Sequence, residues 1–286
     1  MRIHEGGAWL LVWLVWLGCQ ASSRERSGEV QLEGAPGDAA KSTVKPHDGR
    51  GTPIWSGESG GARIDWTTEG IFLQPPSAQA FKAFEKFEWL KNVGRRCEAE
   101  QDARVLSVVG PIVSYELSEE WFCELAAHPT GNTVYSAVDA AHPCPWAPCS
   151  VEQKTSLTDL FPDADLFRAL TADPIVRRQL PNPASRTTRD LVWELSASNT
   201  ECQYAFHSDL LNRFAFHHIE GNRVAVRIGL SHGCEVAHGT LTQLGILLPI
   251  PPRLREALDH ASTRVEGFLM RDSLLISNRQ KTSIRF

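Results

Sequence analysis

The chain has 286 residues, of which 42% are hydrophobic and 22% charged, so it can bury a sizeable core in one large or two small domains. A formal charge of -5 excludes the strongly basic face that a nucleic-acid binder needs, and no nucleic acid is expected among its partners.

The N-terminus runs Met1-Arg2-Ile3-His4, then an apolar stretch from Ala8 to Gly18, then Cys19. That stretch is shorter than the ~20 residues of a membrane-spanning helix and suits the apolar region of an export signal. Trp16-Leu17-Gly18-Cys19 resembles the lipobox of bacterial lipoproteins, which marks residues 1–19 as a lipoprotein signal peptide and Cys19 as the lipidated residue. Cleavage after Ala21, giving a secreted product, is the alternative. Gln20 after the cysteine resembles the outer-membrane sorting pattern of Gram-negative lipoproteins. The expected location is therefore the cell envelope, lipid-anchored at the outer membrane and facing the periplasm or the surface.

Residues 20–62 are rich in Gly, Ser, Pro, Ala and charge and predict a disordered tether, because such a stretch buries too little surface to offset its chain entropy. Order is expected from near Arg63, in one α+β domain over residues 63–286, mainly antiparallel sheet with a few packed helices. Phe81, Phe84, Phe87 and Leu90, after a Ser77 cap and before Gly94, predict an amphipathic helix. Val105–Tyr115 and Trp121–Leu125 read as strands joined through Ser118-Glu119-Glu120, and Thr133–Val138 as a third. Helices follow at Asp163–Leu170 and from Asp173-Pro174, since Pro is tolerated at the first helical position. Leu191–Leu195, Cys202–Phe206, Phe214–Ile219, Arg223–Leu230 and Gln243–Pro249 read as strands, with a hairpin turn at Glu220-Gly221-Asn222. A helix from Pro251-Pro252 through Leu258 precedes a last hairpin, Val265–Met270 with Ser273–Ser277. The basic tail, Arg279 to Arg285, reads as an edge strand protected by its charges.

Of the seven cysteines, Cys97, Cys123, Cys144, Cys149, Cys202 and Cys234 remain after Cys19, an even set that suits disulfides in an oxidising space. The local pairing is Cys97–Cys123, Cys144–Cys149 and Cys202–Cys234. A redox site at Cys144 and Cys149, or a zinc site there with His142, is the rival reading. His217, His218, His232, Cys234 and His238 crowd one region, but adjacent strand residues face opposite ways, which opposes a shared metal at His217 and His218. Neither metal nor cofactor is expected. Ser231-His232-Gly233 and Ser208-Asp209 lack a nucleophile elbow. Asp159, Asp163 and Asp165 lack a calcium-loop pattern, and Asp163 reads better as a helix cap.

His128, in Ala127-His128-Pro129, stands out as either a ligand contact or a turn-fixing imidazole. Trp146, in the Cys144–Cys149 loop, is a candidate binding anchor. If the protein is a cell-wall hydrolase, His128 with Asp139 would supply acid and base.

Over residues 95–255 the chain resembles the extracytoplasmic domain found in lysozyme-sensing anti-sigma factors and beside polysaccharide deacetylase domains. The motifs are Val105-Leu106-Ser107-Val108, Ala126-Ala127-His128-Pro129 before Gly131-Asn132, Leu157-Thr158-Asp159-Leu160-Phe161, Val224 to Leu230, and Leu247 to Pro251. Ala126 stands where that family has Gly, and the Cys144–Cys149 insertion replaces its Thr-Gly turn. The resemblance implies a non-enzymatic α+β binding or sensing module, with a lysozyme-like protein or peptidoglycan as partner. A purely structural envelope protein is the remaining alternative.

Overall fold

The computed structural model describes residues 51–76, 80–83, 97–125, 129–142, 154–199, 204–232, 241–276 and 282–285. The fold is α+β with antiparallel sheets, as the strand-rich pattern predicts. Its first sheet is a meander of β1 (Pro53–Ser59), β2 (Ala62–Thr67), β3 (Gly70–Gln74) and β4 (Phe81–Lys82). β1 thus lies N-terminal to Arg63, inside the stretch whose composition suggests a tether. The Gly/Ser-rich composition hid Trp55, whose ring meets Phe268 edge-on at 5.2 Å and fixes β1 to the core. Phe81 lies in β4 opposite Leu73, not in a helix, because its backbone completes the sheet edge. Phe84, Phe87 and Leu90 fall outside the described residues.

The central element is a long hairpin, β5 (Cys97–Val109) and β6 (Ile112–Cys123), extended by β7 (Thr130–Asp139). Its turn is Gly110-Pro111, not the Ser118-Glu119-Glu120 segment expected to connect two shorter strands. Gly110 has φ +54°, which suits the Gly-first pattern of a type II′ turn. Glu119 and Glu120 instead sit mid-strand opposite Gln101 and Glu100, and Gln101 Nε2 donates to Glu119 Oε1 at 2.8 Å. Polar residues there mimic a turn because the hairpin has run past the apolar core. Cys97 and Cys123 face each other at the open end and are joined by a disulfide, as expected. The other four paired cysteines of the expected set lie outside the described residues.

A β-bulge between Val105 and Ser107 makes Leu106 the extra residue. Val105, Val108, Val113 and Tyr115 then face the first sheet, burying Ile64, Trp66, Ile71 and Leu73 with Phe268. On the opposite face Val109, Ile112 and Ala137 join the larger core.

That larger core lies under a third sheet, ordered β12 (Gln243–Pro249), β10 (Arg223–Gly229), β9 (Phe214–Glu220), and the helices that cover it. The β9–β10 turn uses Gly221 at φ +58°, as predicted. The helices are α1 (Leu157–Leu160), α2 (Asp163–Ala172), α3 (Pro174–Gln179), α4 (Thr188–Ala197), α5 (Pro252–Thr263) and α6 (Met270–Ile276). Leu191–Leu195 is therefore helical, not a strand. Thr188, Leu191, Val192 and Leu195 are buried at helical spacing, and Thr187 Oγ1 caps the start by accepting the Asp190 N–H at 3.2 Å. The expected hairpin after Val265 is a single bridge, Phe268 with Val108, followed by α6. Ser273 Oγ donates to the Val105 carbonyl, which holds α6 on the hairpin. A two-stranded ladder pairs β8 (Tyr204–Ala205) with β11 (Ser231–His232), and β13 (Thr282–Arg285) is an edge strand on β5.

Asp163 does cap a helix, but not its own. Pro162 caps α2, while Asp163 Oδ1 accepts the Thr188 N–H at 3.0 Å and so satisfies the first turn of α4. Asp173 ties helix to sheet in the same way. Oδ1 accepts from Ile175 N at 2.8 Å and Val176 N at 3.3 Å, while Oδ2 accepts from Gly245 N on β12 at 3.2 Å.

Two stability predictions follow from these ties. Asp173→Ala removes a cap and a part-buried tie to the Gly245 N–H, and should cost about 1–2 kcal/mol in denaturant unfolding, with Asp173→Asn costing less. Replacing both Cys97 and Cys123 by Ser opens the hairpin end across a sequence separation of 26 and should cost about 3 kcal/mol. An unchanged unfolding midpoint in the double variant would show that the bridge constrains nothing.

Candidate functional site

At the turn end of the long hairpin, four loops and helix starts enclose an open groove of about 430 Å³. Pro111 and Ile112 form its floor at the hairpin turn, with Leu160 from α1 and Leu254 from α5. The rim is polar: Asp139 ends β7 and His142 follows it, Lys154 and Thr155 precede α1, and Asp159 and Arg253 belong to α1 and the start of α5.

Each rim residue is positioned by a specific bond. Asp139 Oδ1 accepts from Ala141 N at 2.9 Å and His142 N at 3.2 Å, an Asx-type turn that ends β7. Its Oδ2 lies 3.3 Å from His142 Nδ1. Val138 bridges Lys154, and the Thr155 N–H donates to the Ala137 carbonyl at 2.8 Å, which lays the incoming segment against β7. Ser156 and Asp159 cap α1 reciprocally, with the Asp159 carboxylate accepting the Ser156 N–H at 2.9 Å. Arg253 donates to the Asp159 carbonyl, linking α5 to α1 across the groove. Asp209 anchors Lys154 at 3.9 Å and Arg213 at 2.9 Å.

This chemistry suits binding. Among the described residues the lining has no Ser, Cys or Tyr, and its hydroxyl, amine and carboxylate groups are those of Thr155, Lys154, Asp139 and Asp159. The Asp139–His142 pair could hold a proton, but Asp139 spends one oxygen on backbone donors, and the His142 side chain is 84% exposed. A catalytic base works best where water is excluded. Thr155, Asp139 and Asp159 offer hydroxyl and carboxylate acceptors, while Lys154 and Arg253 offer charged donors.

Asp139 is thus in the groove, beside His142. His128, Trp146, Cys144, Cys149, Cys202, Cys234 and His238 fall outside the described residues, as does Cys19. Lys154, Thr155 and Arg253 were missed, because nothing in the spacing of lone polar residues links the three elements that carry them. Asp159 and Asp165 are committed elsewhere, to the α1 cap and to Arg168 at 3.2 Å. Ser231 Oγ accepts from Arg213 and Asp209 holds Lys154 and Arg213, so neither is poised as a triad member. Among the described residues no three His, Cys, Asp or Glu side chains gather as a metal site, and no helix is long and apolar enough to cross a membrane.

His217 and His218 do not face opposite ways. A bulge in β9 pairs Phe216 with Val226 and His218 with Ala225, leaving His217 as the extra residue. Phe216 points into the helix-covered core, so His217 points away from it by alternation, and the bulge sends His218 to the same side. Their Nδ1 atoms lie 2.7 Å apart. Burial holds His217 below the usual imidazole range, helped by the positive charges of Arg227, His218 and Arg271.

In comparisons with known proteins, the chain matches no family model, no curated protein and no solved structure.

Proposed function

We propose that the protein is a non-enzymatic binding module of the bacterial cell envelope, lipid-anchored through Cys19, and that its groove takes a peptidoglycan fragment. The observation that carries the reading is the groove itself: a concave space of about 430 Å³, within the usual range for ligand sites, with an apolar floor and a rim of mixed charge. A glycan strand bearing short peptides offers hydroxyls for Asp139, Asp159 and Thr155, and carboxylates for Lys154 and Arg253. A protein ligand would instead need a broad contact face of ~800 Å². Export is supported by the short apolar leader and by the Cys97–Cys123 bridge, which suits an oxidising space. The resemblance to the extracytoplasmic sensing domain points the same way.

A soluble muropeptide titrated calorimetrically into the mature protein is expected to bind at one site. Arg253→Gln and Lys154→Gln should each weaken it about tenfold, the worth of one charge-assisted hydrogen bond. Equal affinity in both variants would remove the groove from the account. The Asp139–His142 contact also suits a hydrolase, and the same mixture distinguishes the two. Muropeptide recovered intact after prolonged incubation supports a binder, whereas cleavage abolished by Asp139→Asn establishes an enzyme.

A further inference from the structure

The sheet β13-β5-β6-β7 has two edges, and its outer half closes only one of them. On the β5 side the chain completes the edge itself. There β13, from the basic tail, pairs Thr282 with Gln101 and Arg285 with Glu98. On the other side β7 is the last strand. Its groove end is occupied: Val138 bridges Lys154, and the Ala137 carbonyl accepts the Thr155 N–H at 2.8 Å. From Thr130 to Val134 the strand is half-buried, and among the described residues nothing pairs with its outer side.

We propose that Thr130–Val134 is a docking edge for an extended peptide bearing a lysine or arginine, taken up as an added strand beside β7. The first reason is the direction of the backbone groups. In an antiparallel ladder, successive residues turn their N–H and C=O groups alternately toward and away from a given neighbour. The Ala137 carbonyl points away from β6, to Thr155, so Thr133 and Gly131, at alternate positions before it, also point away. Their N–H and C=O groups form the row that a further strand would use. Edges are normally kept from pairing by charges, proline or a bulge, and Thr130-Gly131-Asn132-Thr133-Val134 has none of these.

The second reason is charge. Ser283, Glu100, Glu120 and Gly131 stand in one row across the sheet. Glu100 and Glu120 are directly opposite each other, an unfavourable placement of like charges that a nearby cation relieves. Glu120 is exposed, and Gly131 is its neighbour on the edge side. A Cβ added at Gly131 would lie 3.9 Å from the Glu120 Cβ, so the missing side chain leaves the way to this carboxylate open. Two strand spacings of about 4.8 Å separate Glu120 from an added strand, a gap that a lysine and a glutamate side chain span together across the bare glycine. The other edge of the same row already pairs with a segment drawn from the basic tail.

None of these residues lines the groove, so a failed muropeptide titration leaves the edge standing. The probe is a capped synthetic peptide, Thr-Val-Lys-Val-Thr-Val, titrated into the isotope-labelled mature protein. The Gly131 and Thr133 amide signals should shift saturably. Methylating the amide nitrogen of the peptide's lysine, which would face Gly131, should abolish binding, and methylating that of the next residue should not. Thr133→Pro removes an outward N–H and leaves the β6 ladder whole, and should weaken the peptide about tenfold. Glu120→Gln should weaken it about threefold, the worth of an exposed ion pair, and stands in if the proline variant does not fold. No saturable shift at on the order of 1 mM peptide, or unchanged affinity in both variants, overturns the proposal. A norleucine copy that binds as tightly as the lysine peptide also overturns it. So does concentration-dependent dimerisation of the free protein that Thr133→Pro abolishes, which would give the edge to a second copy of the chain.

Discussion

The register of the β5–β6 hairpin is the constraint on which the rest depends. The turn half of its strands is buried on both faces, so each residue there is committed to one side of the hairpin. A slip of one residue would exchange the faces and send Val108 and Val113 into the space of Val109 and Ile112. Two devices fix the register from opposite ends: the Gly110-Pro111 turn at one and the Cys97–Cys123 bridge at the other. Cross-links then hang the neighbouring layers on this frame. Trp66 Nε1 donates to the Ala103 carbonyl at 3.2 Å, and Ser107 Oγ accepts the Phe216 N–H at 3.2 Å. The first brings up the N-terminal sheet, the second brings up β9.

Sequence reasoning recovered the elements whose apolar pattern has a single period. β10 and β12 alternate cleanly, β7 and β9 stand out by their apolar and aromatic residues, and Asp173-Pro174 announces its helix by cap chemistry. It failed where two signals overlapped. Leu191-Val192-Trp193-Glu194-Leu195 alternates well enough for a strand, yet the buried set extends back to Thr188 with helical spacing, and Trp193 is exposed. The hairpin was misread for a different reason. Its outer half is charged on both strands, and charge within a strand looks like a connection unless the partner strand is known.

Bulges account for what no local pattern could reveal. At Leu106 the extra residue turns a side chain toward Tyr135 and Ala215, and at His217 it brings two imidazoles to one side. The argument that neighbouring strand residues diverge is sound for a regular strand and fails at a bulge. Only the partner strand's register exposes the irregularity, and that register is non-local information. The groove was illegible for a related reason. Asp139 stood out alone, but its worth depends on Lys154, Asp159 and Arg253, which chain connectivity scatters and which backbone bonds to the Ala137 and Asp159 carbonyls reassemble.

The groove rim and the histidine pair differ in how their polar groups are supported. Groove residues are held by backbone turns and caps: Asp139 by its own turn, Asp159 by Ser156. Each support is a bond from the residue's own carboxylate to nearby backbone, so the rim is preorganised. The histidine pair is held by its own side chains, one imidazole against the other. There the support is one side chain against another, so truncating either imidazole frees its partner.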